Sequence, residues 1–226
     1  MYTKEQIAKT IDHAVLKPEY TYADLKHHAE MCRKYDVFSM CVRPSDIKAA
    51  VELLRTCDVK VSCVLSFPHG ADTSWSKTFQ AQQAINDGVD EIDMVMNIGR
   101  FLSGDYDYVV NDIKGVVDVA HKHGVPVKVI QESCFLTLEQ VAKACELSYE
   151  AGADFVKTST GFGPGAATPE IVGVMIKTVG SKMKVKASGG IRDWETAVAY
   201  LEQGVDRLGI GSTEAVLEGG QSTGAY

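Results

Sequence analysis

The chain has 226 residues, of which 45% are hydrophobic and 23% are charged, and its formal net charge is −7. This composition is typical of a globular protein with a substantial hydrophobic core. The negative charge argues against nucleic acid or an anionic membrane surface as the main partner, and no apolar run approaches the roughly 18 residues of a membrane span.

A short helix opens the chain, and eight strand–helix repeats follow it. Apolar or β-branched runs predict strands near residues 11–16, 37–42, 59–66, 90–97, 126–132, 153–159, 183–188 and 206–211. Seven of these runs precede clear helix patterns, and the eighth precedes a short helix that begins at Ser212. The interval averages roughly 28 residues, which suits one strand–helix unit. We therefore predict a single domain over residues 1–226, an α/β fold of the TIM (β/α)8 barrel type.

The alternative fold is a doubly wound open sheet, in which parallel strands also alternate with helices. No Gly-x-Gly-x-x-Gly segment follows the first strand, and eight units suit a closed barrel better.

Glycines and capping residues mark the predicted helix ends. Glycines that need a positive φ at helix C-termini precede four of the strands: Gly88, Gly124, Gly152 and Gly204. Ser, Thr or Asp residues suited to capping begin four helices: Ser45, Thr137, Thr168 and Asp193.

Alternation along the strands places charged side chains inside the barrel. In the fourth strand, Asp93 alternates with the large apolar residues Ile92 and Met94, so it lies on the opposite face, toward the barrel interior. The same reasoning directs four more side chains inward: Cys41, Lys128, Lys157 and Lys186. Barrel active sites lie at the carboxyl ends of the strands, so we expect these groups to share one site.

Two lysines in apolar strands indicate carbonyl chemistry. Burial of an unpaired ammonium group is costly, and two such groups in one cavity push each other toward the neutral amine. The neutral amine is the form that attacks a carbonyl carbon. The pattern predicts an imine-forming enzyme, and strand faces alone leave the choice between Lys157 and Lys186 open.

Each inward residue has a structural alternative. Lys182, Lys184 and Lys186 alternate, as they would on a solvated strand face. Asp93 could serve only to neutralise a lysine, and Lys128 could serve only in an ion pair. A cysteine such as Cys41 is commonly a small buried hydrophobe.

Glycine-rich turns follow the last three predicted strands and predict a phosphate site. Such turns expose backbone N–H groups at helix N-termini, where they bind phosphate. In barrels this site commonly follows the seventh and eighth strands. The residues that we assign to it are Gly161, Gly189, Gly190, Gly211 and Ser212. The alternative is that these are ordinary tight turns.

The cysteines and the C-terminal tail carry weaker signals. Six cysteines are scattered without zinc-ligand spacing, which favours reduced thiols and a cytoplasmic protein without a metal. Residues 219–226 form a predicted flexible tail that ends in Tyr226. Tyr226 is a candidate proton relay over the site, and a disordered end is the alternative.

Several segments resemble the deoxyribose-phosphate aldolases, which are class I aldolases, over nearly the whole chain. The most specific are Lys157-Thr158-Ser159-Thr160-Gly161 and Lys186-Ala187-Ser188-Gly189-Gly190. The supporting segments are Ile11-Asp12-His13-Ala14-Val15-Leu16-Lys17-Pro18, Cys41-Val42-Arg43-Pro44, Asp90-Glu91-Ile92-Asp93 and Lys128-Val129-Ile130-Gln131-Glu132.

The resemblance implies reversible cleavage of 2-deoxy-D-ribose 5-phosphate to glyceraldehyde 3-phosphate and acetaldehyde, without cofactor or metal. It implies that Lys157 forms the imine, that Lys186 tunes Lys157, and that Asp93 moves protons. A homodimer is a further expectation from the family. The residues that we assign to substrate binding are Asp12, Cys41, Lys128 and Thr160.

The chain departs from the family pattern near the substrate. Ala14 stands where many relatives carry threonine, and Phe162 stands where some carry lysine. Without that lysine, we expect phosphate binding to rest more on backbone groups.

Our hypothesis for the mechanism is that a charged Lys186 lowers the pKa of Lys157 by repulsion, with burial helping. The rival functions are another phosphosugar barrel enzyme, either an isomerase or a transaldolase-like aldolase, and a catalytically silent phosphosugar-binding barrel. Acetaldehyde release separates the enzymes, and a reducible lysine adduct excludes the silent protein.

Overall fold

The computed structural model describes residues 2–220 and contains a closed barrel of eight parallel strands. The strands are Ile11–Val15 (β1), Ser39–Val42 (β2), Lys60–Leu65 (β3), Glu91–Val95 (β4), Val127–Ile130 (β5), Phe155–Lys157 (β6), Lys184–Ser188 (β7) and Arg207–Ile210 (β8). Each strand pairs with the next, and β1 pairs with β8, so the sheet has no free edge. The predicted TIM barrel is confirmed.

Helices surround this barrel and fill the connections. They are Lys4–Ala8 (α1), Tyr22–Tyr35 (α2), Ile47–Leu54 (α3), Ser74–Asn86 (α4), Ile98–Leu102 (α5), Tyr106–His121 (α6), Leu138–Glu150 (α7), Pro169–Val179 (α8), Trp194–Gln203 (α9) and Thr213–Leu217 (α10). The predicted short N-terminal helix is α1, which precedes the first strand. The connection after β4 contains two helices, α5 and α6. Among the described residues, no helix is long and apolar enough to cross a bilayer.

The helix ends follow the predicted chemistry with one exception. A side-chain oxygen accepts a backbone N–H of the first turn at three predicted caps: Thr137, Thr168 and Asp193. All four predicted glycines have a positive φ. The prediction for Ser45 is wrong, because Pro44–Asp46 forms a single 3-10 turn and α3 begins only at Ile47.

Strand alternation separates an apolar shell from a polar barrel interior. Ile92 and Met94 are fully buried toward the helices, whereas Asp93 between them contacts lysines from other strands. Lys182 and Lys184 are exposed at the amino-terminal end of β7, so the solvated alternative holds for these two residues. Lys186 is buried, and only the later part of β7 reaches the site.

Candidate active site

Four neighbouring strands bring the predicted catalytic groups together. Asp93 on β4 lies beside Lys128 on β5, and Lys157 on β6 lies beside Lys186 on β7. All four side chains are at most 1% exposed. Because they lie side by side in one closed barrel, their charges interact at short range with little screening by water.

Asp93 is the centre of this cluster. Its Oδ1 accepts a hydrogen bond from Lys128 Nζ at 2.8 Å. Its Oδ2 accepts from Lys157 Nζ at 2.9 Å and from Lys186 Nζ at 2.8 Å. One carboxylate therefore joins three ammonium groups, and a proton can pass between the two lysines through a single oxygen atom.

Further charges extend the cluster toward the amino-terminal end of the barrel. Asp12 pairs with Lys186 and accepts hydrogen bonds from Arg207 at 2.6 Å and from Ser39 at 2.7 Å. Lys128 also donates to Glu91 Oε2 at 2.6 Å. Sequence reasoning had assigned no role to Glu91 or Arg207, although strand alternation places Glu91 on the same face as Asp93.

The cluster contains one more cation than carboxylates. Its cations are Lys128, Lys157, Lys186 and Arg207, and its carboxylates are Asp12, Glu91 and Asp93. Within the described residues, Lys157 forms an ion pair with Asp93 alone, whereas each other cation pairs with two carboxylates or more. Loss of the proton from Lys157 would therefore remove the excess charge at the cation with the fewest partners.

The protonation of Lys157 differs from the sequence-based hypothesis. Burial is the largest single influence and lowers the pKa of Lys157, but the charge of Asp93, the hydrogen bond to it and the nearby Cys41 together outweigh burial, and the pKa lies above its ordinary value. The expected net depression of this pKa is therefore wrong, and a depressing contribution from Lys186 within that balance stays a prediction. Lys157 rests as an ammonium ion, so a proton must leave it before it can attack a carbonyl carbon.

Asp93 remains ionised in this environment. Burial alone would raise the pKa of Asp93, but Lys128, Lys157 and Lys186 hold it well below its ordinary value. Such a carboxylate passes a proton between neighbours rather than keeping it.

The carboxylates of Asp12 and Asp93 make stability depend on pH. Burial would raise the pKa of each, yet their cationic partners hold both pKa values below the ordinary 3.8. A carboxylate with a lowered pKa in the folded state stabilises the fold above its unfolded-state pKa, and this contribution is lost as the pH falls toward the folded-state pKa. We expect the thermal midpoint to fall steeply below about pH 4. Thermal unfolding between neutral and acidic pH measures it, and a midpoint independent of pH in that range contradicts the ion-paired cluster.

Cys41 belongs to the apolar wall of the barrel interior. It is 2% exposed and packs in a small cluster with Ala14, Leu16, Val64 and Phe67. Burial raises the pKa of its thiol, and the charge of Asp93 adds to the effect. The geometry supports the alternative of a small buried hydrophobe, and a contact between Cys41 and substrate stays a prediction.

Asp12, Lys128 and Thr160 are fully buried. Lys128 and Asp12 lie inside the ion-pair cluster, so Lys128 has the ion-pair role that was given as the alternative to a substrate contact. The Thr160 hydroxyl donates to Glu132 and accepts from the N–H of Phe162 at 3.0 Å, which ties the turn after β6 to the end of β5. Substrate binding by these three residues stays a prediction.

A cavity of about 550 Å³ is lined by the turns that follow β6, β7 and β8. Its lining includes all five residues assigned to phosphate: Gly161, Gly189, Gly190, Gly211 and Ser212. Gly189 and Gly190 have φ values of 81° and 76°. A Cβ on either residue would lie 3.2 Å from Ala166 Cβ, so the turn requires glycine at both positions.

Two cations that sequence reasoning had not assigned also line the cavity. They are Lys17, which follows β1, and Arg192, which follows the Gly189-Gly190 turn. Both lie in segments outside the strands, where alternation gives no direction for a side chain. They supply side-chain charge in addition to the expected backbone donors.

Tyr226 and the rest of the tail from residue 221 lie outside the described residues.

Comparisons with known proteins agree with this geometry. A family model for the DeoC/LacD family aldolases matches residues 6–209. The deoxyribose-phosphate aldolase of Thermococcus gammatolerans is 51% identical over 218 residues, which cover 96% of this chain and 97% of that protein. The protein of the same name from Clostridium perfringens is 48% identical over 223 residues, 99% of each chain.

A solved structure has the same fold. The deoxyribose phosphate aldolase of Aeropyrum pernix, described as a unique tetramer, superposes with a TM-score of 0.89 at 31% identity. The match covers 96% of this chain and 91% of that chain.

Proposed function

This chain belongs to the DeoC/LacD family of aldolases, and we propose that Lys157 is the residue through which it cleaves 2-deoxy-D-ribose 5-phosphate reversibly to glyceraldehyde 3-phosphate and acetaldehyde. The observation that carries the assignment of Lys157 is its ion pairing. Lys157 is buried in a cluster with excess positive charge and has a single carboxylate partner among the described residues.

The first steps form an imine on Lys157. Its ammonium group passes a proton to Asp93, which later supplies it to the carbinolamine oxygen, and the neutral Nζ attacks the aldehyde carbon, C1, of the open-chain sugar. Asp93 and Lys186 deliver a proton, through a bound water molecule, to the carbinolamine oxygen, which leaves as water. The product is a protonated imine, which attracts electrons from the neighbouring carbon atoms.

Cleavage then breaks the C2–C3 bond, because acetaldehyde keeps C1 and C2. The C3 hydroxyl loses its proton to a water molecule ordered by Asp93, and the electron pair of the bond moves toward the imine nitrogen. Glyceraldehyde 3-phosphate leaves, and an enamine remains on Lys157. Protonation of the enamine at C2 and hydrolysis of the imine release acetaldehyde and restore the lysine.

The 550 Å³ cavity holds the phosphate end of the sugar. Backbone N–H groups of the turns after β6, β7 and β8 bind the phosphate oxygens, and Lys17 and Arg192 add positive charge. With one end fixed, the C1 aldehyde is held near Lys157 Nζ, which turns a bimolecular attack into an effectively unimolecular one.

We expect the G190A variant to bind 2-deoxyribose 5-phosphate more weakly. Alanine at a φ of 76° is strained by about 1–2 kcal/mol, and its Cβ would push against Ala166. The turn shifts, and KM rises about tenfold while kcat changes little. Steady-state kinetics measure both constants.

Two controls isolate the phosphate contact. Unphosphorylated 2-deoxyribose should be cleaved by G190A and by wild type with similar kcat/KM. The G124A variant, which has a similar φ of 70° but no atom within 4 Å of the added Cβ, should keep the wild-type KM. An unchanged KM in G190A would remove this turn from phosphate binding.

Acetaldehyde release tests the reaction class. Coupling the products of 2-deoxyribose 5-phosphate cleavage to alcohol dehydrogenase and NADH detects acetaldehyde directly. Its release at a rate proportional to enzyme concentration supports the aldolase, whereas a rearranged pentose phosphate without acetaldehyde identifies an isomerase. Binding without either product identifies a silent barrel.

We also propose that the chain forms homo-oligomers, the simplest being a dimer, in the cytoplasm. The Aeropyrum pernix relative is described as a tetramer, and Trp75 and Phe79 form an exposed aromatic stack on α4. All six cysteines are free, as in a reducing compartment. Sedimentation equilibrium gives the oligomeric state, and a monomer at micromolar concentration contradicts the proposal.

The last feature that we propose concerns the extent of the domain and the role of its C-terminal tyrosine. Residues 1–226 act as one catalytic domain, and Tyr226 assists protonation of the enamine. Deletion of Tyr226 should slow deuterium exchange into the methyl group of acetaldehyde, and an unchanged exchange rate excludes the relay.

A further inference from the structure

Glu91 and Arg207 form an ion pair at the amino-terminal end of the barrel, the end opposite the substrate cavity. They are the first residues of β4 and β8, and each is 6% exposed. Arg207 donates to both carboxylate oxygens of Glu91, at 3.2 and 3.0 Å. The guanidinium carbon lies 3.3 Å from the ring centre of Phe38, so the pair is held in place by packing as well as by charge.

Two chains of hydrogen bonds lead from this pair to Asp93. On one side, Glu91 Oε2 accepts from Lys128 Nζ at 2.6 Å, and Lys128 donates to Asp93 Oδ1. On the other side, Arg207 donates to Asp12, Asp12 pairs with Lys186, and Lys186 donates to Asp93 Oδ2. Both chains end on Asp93, the partner of Lys157.

We propose that Glu91 and Arg207 are positioning residues that set how tightly Lys157 holds its proton. They act from the amino-terminal end of the barrel. Neither residue reaches the substrate cavity. They act by fixing Lys128 and Asp12, which in turn share Asp93 and Lys186 with Lys157. This inference rests on the proposed imine chemistry of Lys157.

The sign of each effect follows from the groups around Lys157. Asp93 from β4 and Cys41 from β2 favour its ammonium form, whereas burial and the charge of Lys128 from β5 disfavour it. Lys186 from β7 competes with Lys157 for the same Asp93 oxygen. Glu91 removal leaves Lys128 with Asp93 as its main carboxylate partner, which weakens the attraction of Asp93 for Lys157. It also raises the excess positive charge in the barrel from one to two, so Lys157 releases its proton more readily.

Removal of Arg207 has the opposite effect. The four cations become three against three carboxylates, and the excess charge disappears. Asp12 and Glu91 then attract the remaining ammonium groups more strongly. Lys157 therefore holds its proton more tightly.

The experiment is a double-mutant comparison of rate against pH. In E91Q, which keeps the side-chain shape, the acidic limb of kcat/KM should move to lower pH by about one unit. In R207M it should move to higher pH by a similar amount. The double variant E91Q/R207M restores the original excess charge, and its limb should return close to that of wild type.

Matched variants separate tuning from loss of stability. E91D and R207K keep the charges, so each should show the wild-type dependence of kcat/KM on pH. D112N disturbs a different buried pair, in which Lys77 Nζ lies 2.5 Å from Asp112 Oδ2 between α4 and α6. It should lower the thermal midpoint without moving the pH profile.

The outcomes are distinct. Opposite shifts in E91Q and R207M, with restoration in the double variant, support the proposal. Lower kcat with an unmoved pH profile in both variants overturns it and leaves Glu91 and Arg207 with a structural role. A wild-type enzyme without a reducible substrate adduct on Lys157 overturns the proposed function itself, and the inference with it.

Discussion

Replacement of Lys157 by leucine should abolish aldol cleavage while the barrel stays folded. Leucine cannot form an imine, so kcat/KM should fall by at least about 10⁴-fold. The fold should tolerate the change, because three cations then face three carboxylates and Asp93 keeps Lys128 and Lys186 as partners. Apolar replacement of a buried charge is often neutral or stabilising when its partner stays paired. The acetaldehyde assay and thermal unfolding measure the two effects.

The K157R variant is the matched control for charge. It keeps a cation beside Asp93, but a guanidinium group is always protonated and cannot attack a carbonyl carbon. It should be as inactive as K157L. Turnover near the wild-type rate in either variant would contradict the assignment of the nucleophile.

Replacement of Lys186 by leucine should slow the reaction and move its pH dependence to higher pH. Lys186 and Lys157 share Oδ2 of Asp93, so without Lys186 that oxygen attracts Lys157 alone. The excess positive charge also disappears, and Lys157 holds its proton more tightly. We expect kcat to fall about 10²-fold and the acidic limb of kcat/KM to rise by about one pH unit.

Lys184 provides a control on the same strand. It lies two residues before Lys186 in β7 but is exposed at the amino-terminal end of the barrel. The K184L variant should keep both the wild-type kcat and the wild-type pH profile. If K186L slowed the reaction without moving the profile, Lys186 would donate protons without tuning Lys157.

The fold could be predicted from the sequence because local chemistry repeats along the chain. Glycines with positive φ, such as Gly88 and Gly204, end helices just before strands, and each strand run is apolar or alternates. Ser45 shows where local chemistry was insufficient. A proline beside it formed a separate turn first, and the helix began two residues later.

The candidate site was predictable as a set of residues but not as a set of bonds. Alternation shows that Asp93, Lys157 and Lys186 point inward, and it cannot show that both lysines share one carboxylate oxygen. It follows that the sign of the pKa shift of Lys157 depends on Asp93, which the hypothesis had treated only as a proton carrier. The pair Glu91–Arg207 joins residues 116 positions apart, a contact that only barrel closure creates.

Borohydride trapping shows whether Lys157 forms the imine. Wild-type enzyme is mixed with 2-deoxyribose 5-phosphate and sodium borohydride, which reduces the imine to a stable amine, and peptide mass spectrometry locates the modified residue. We expect a reduced adduct on Lys157 and none in K157R. An adduct on Lys186 instead, or no adduct under conditions where substrate binds, would contradict it.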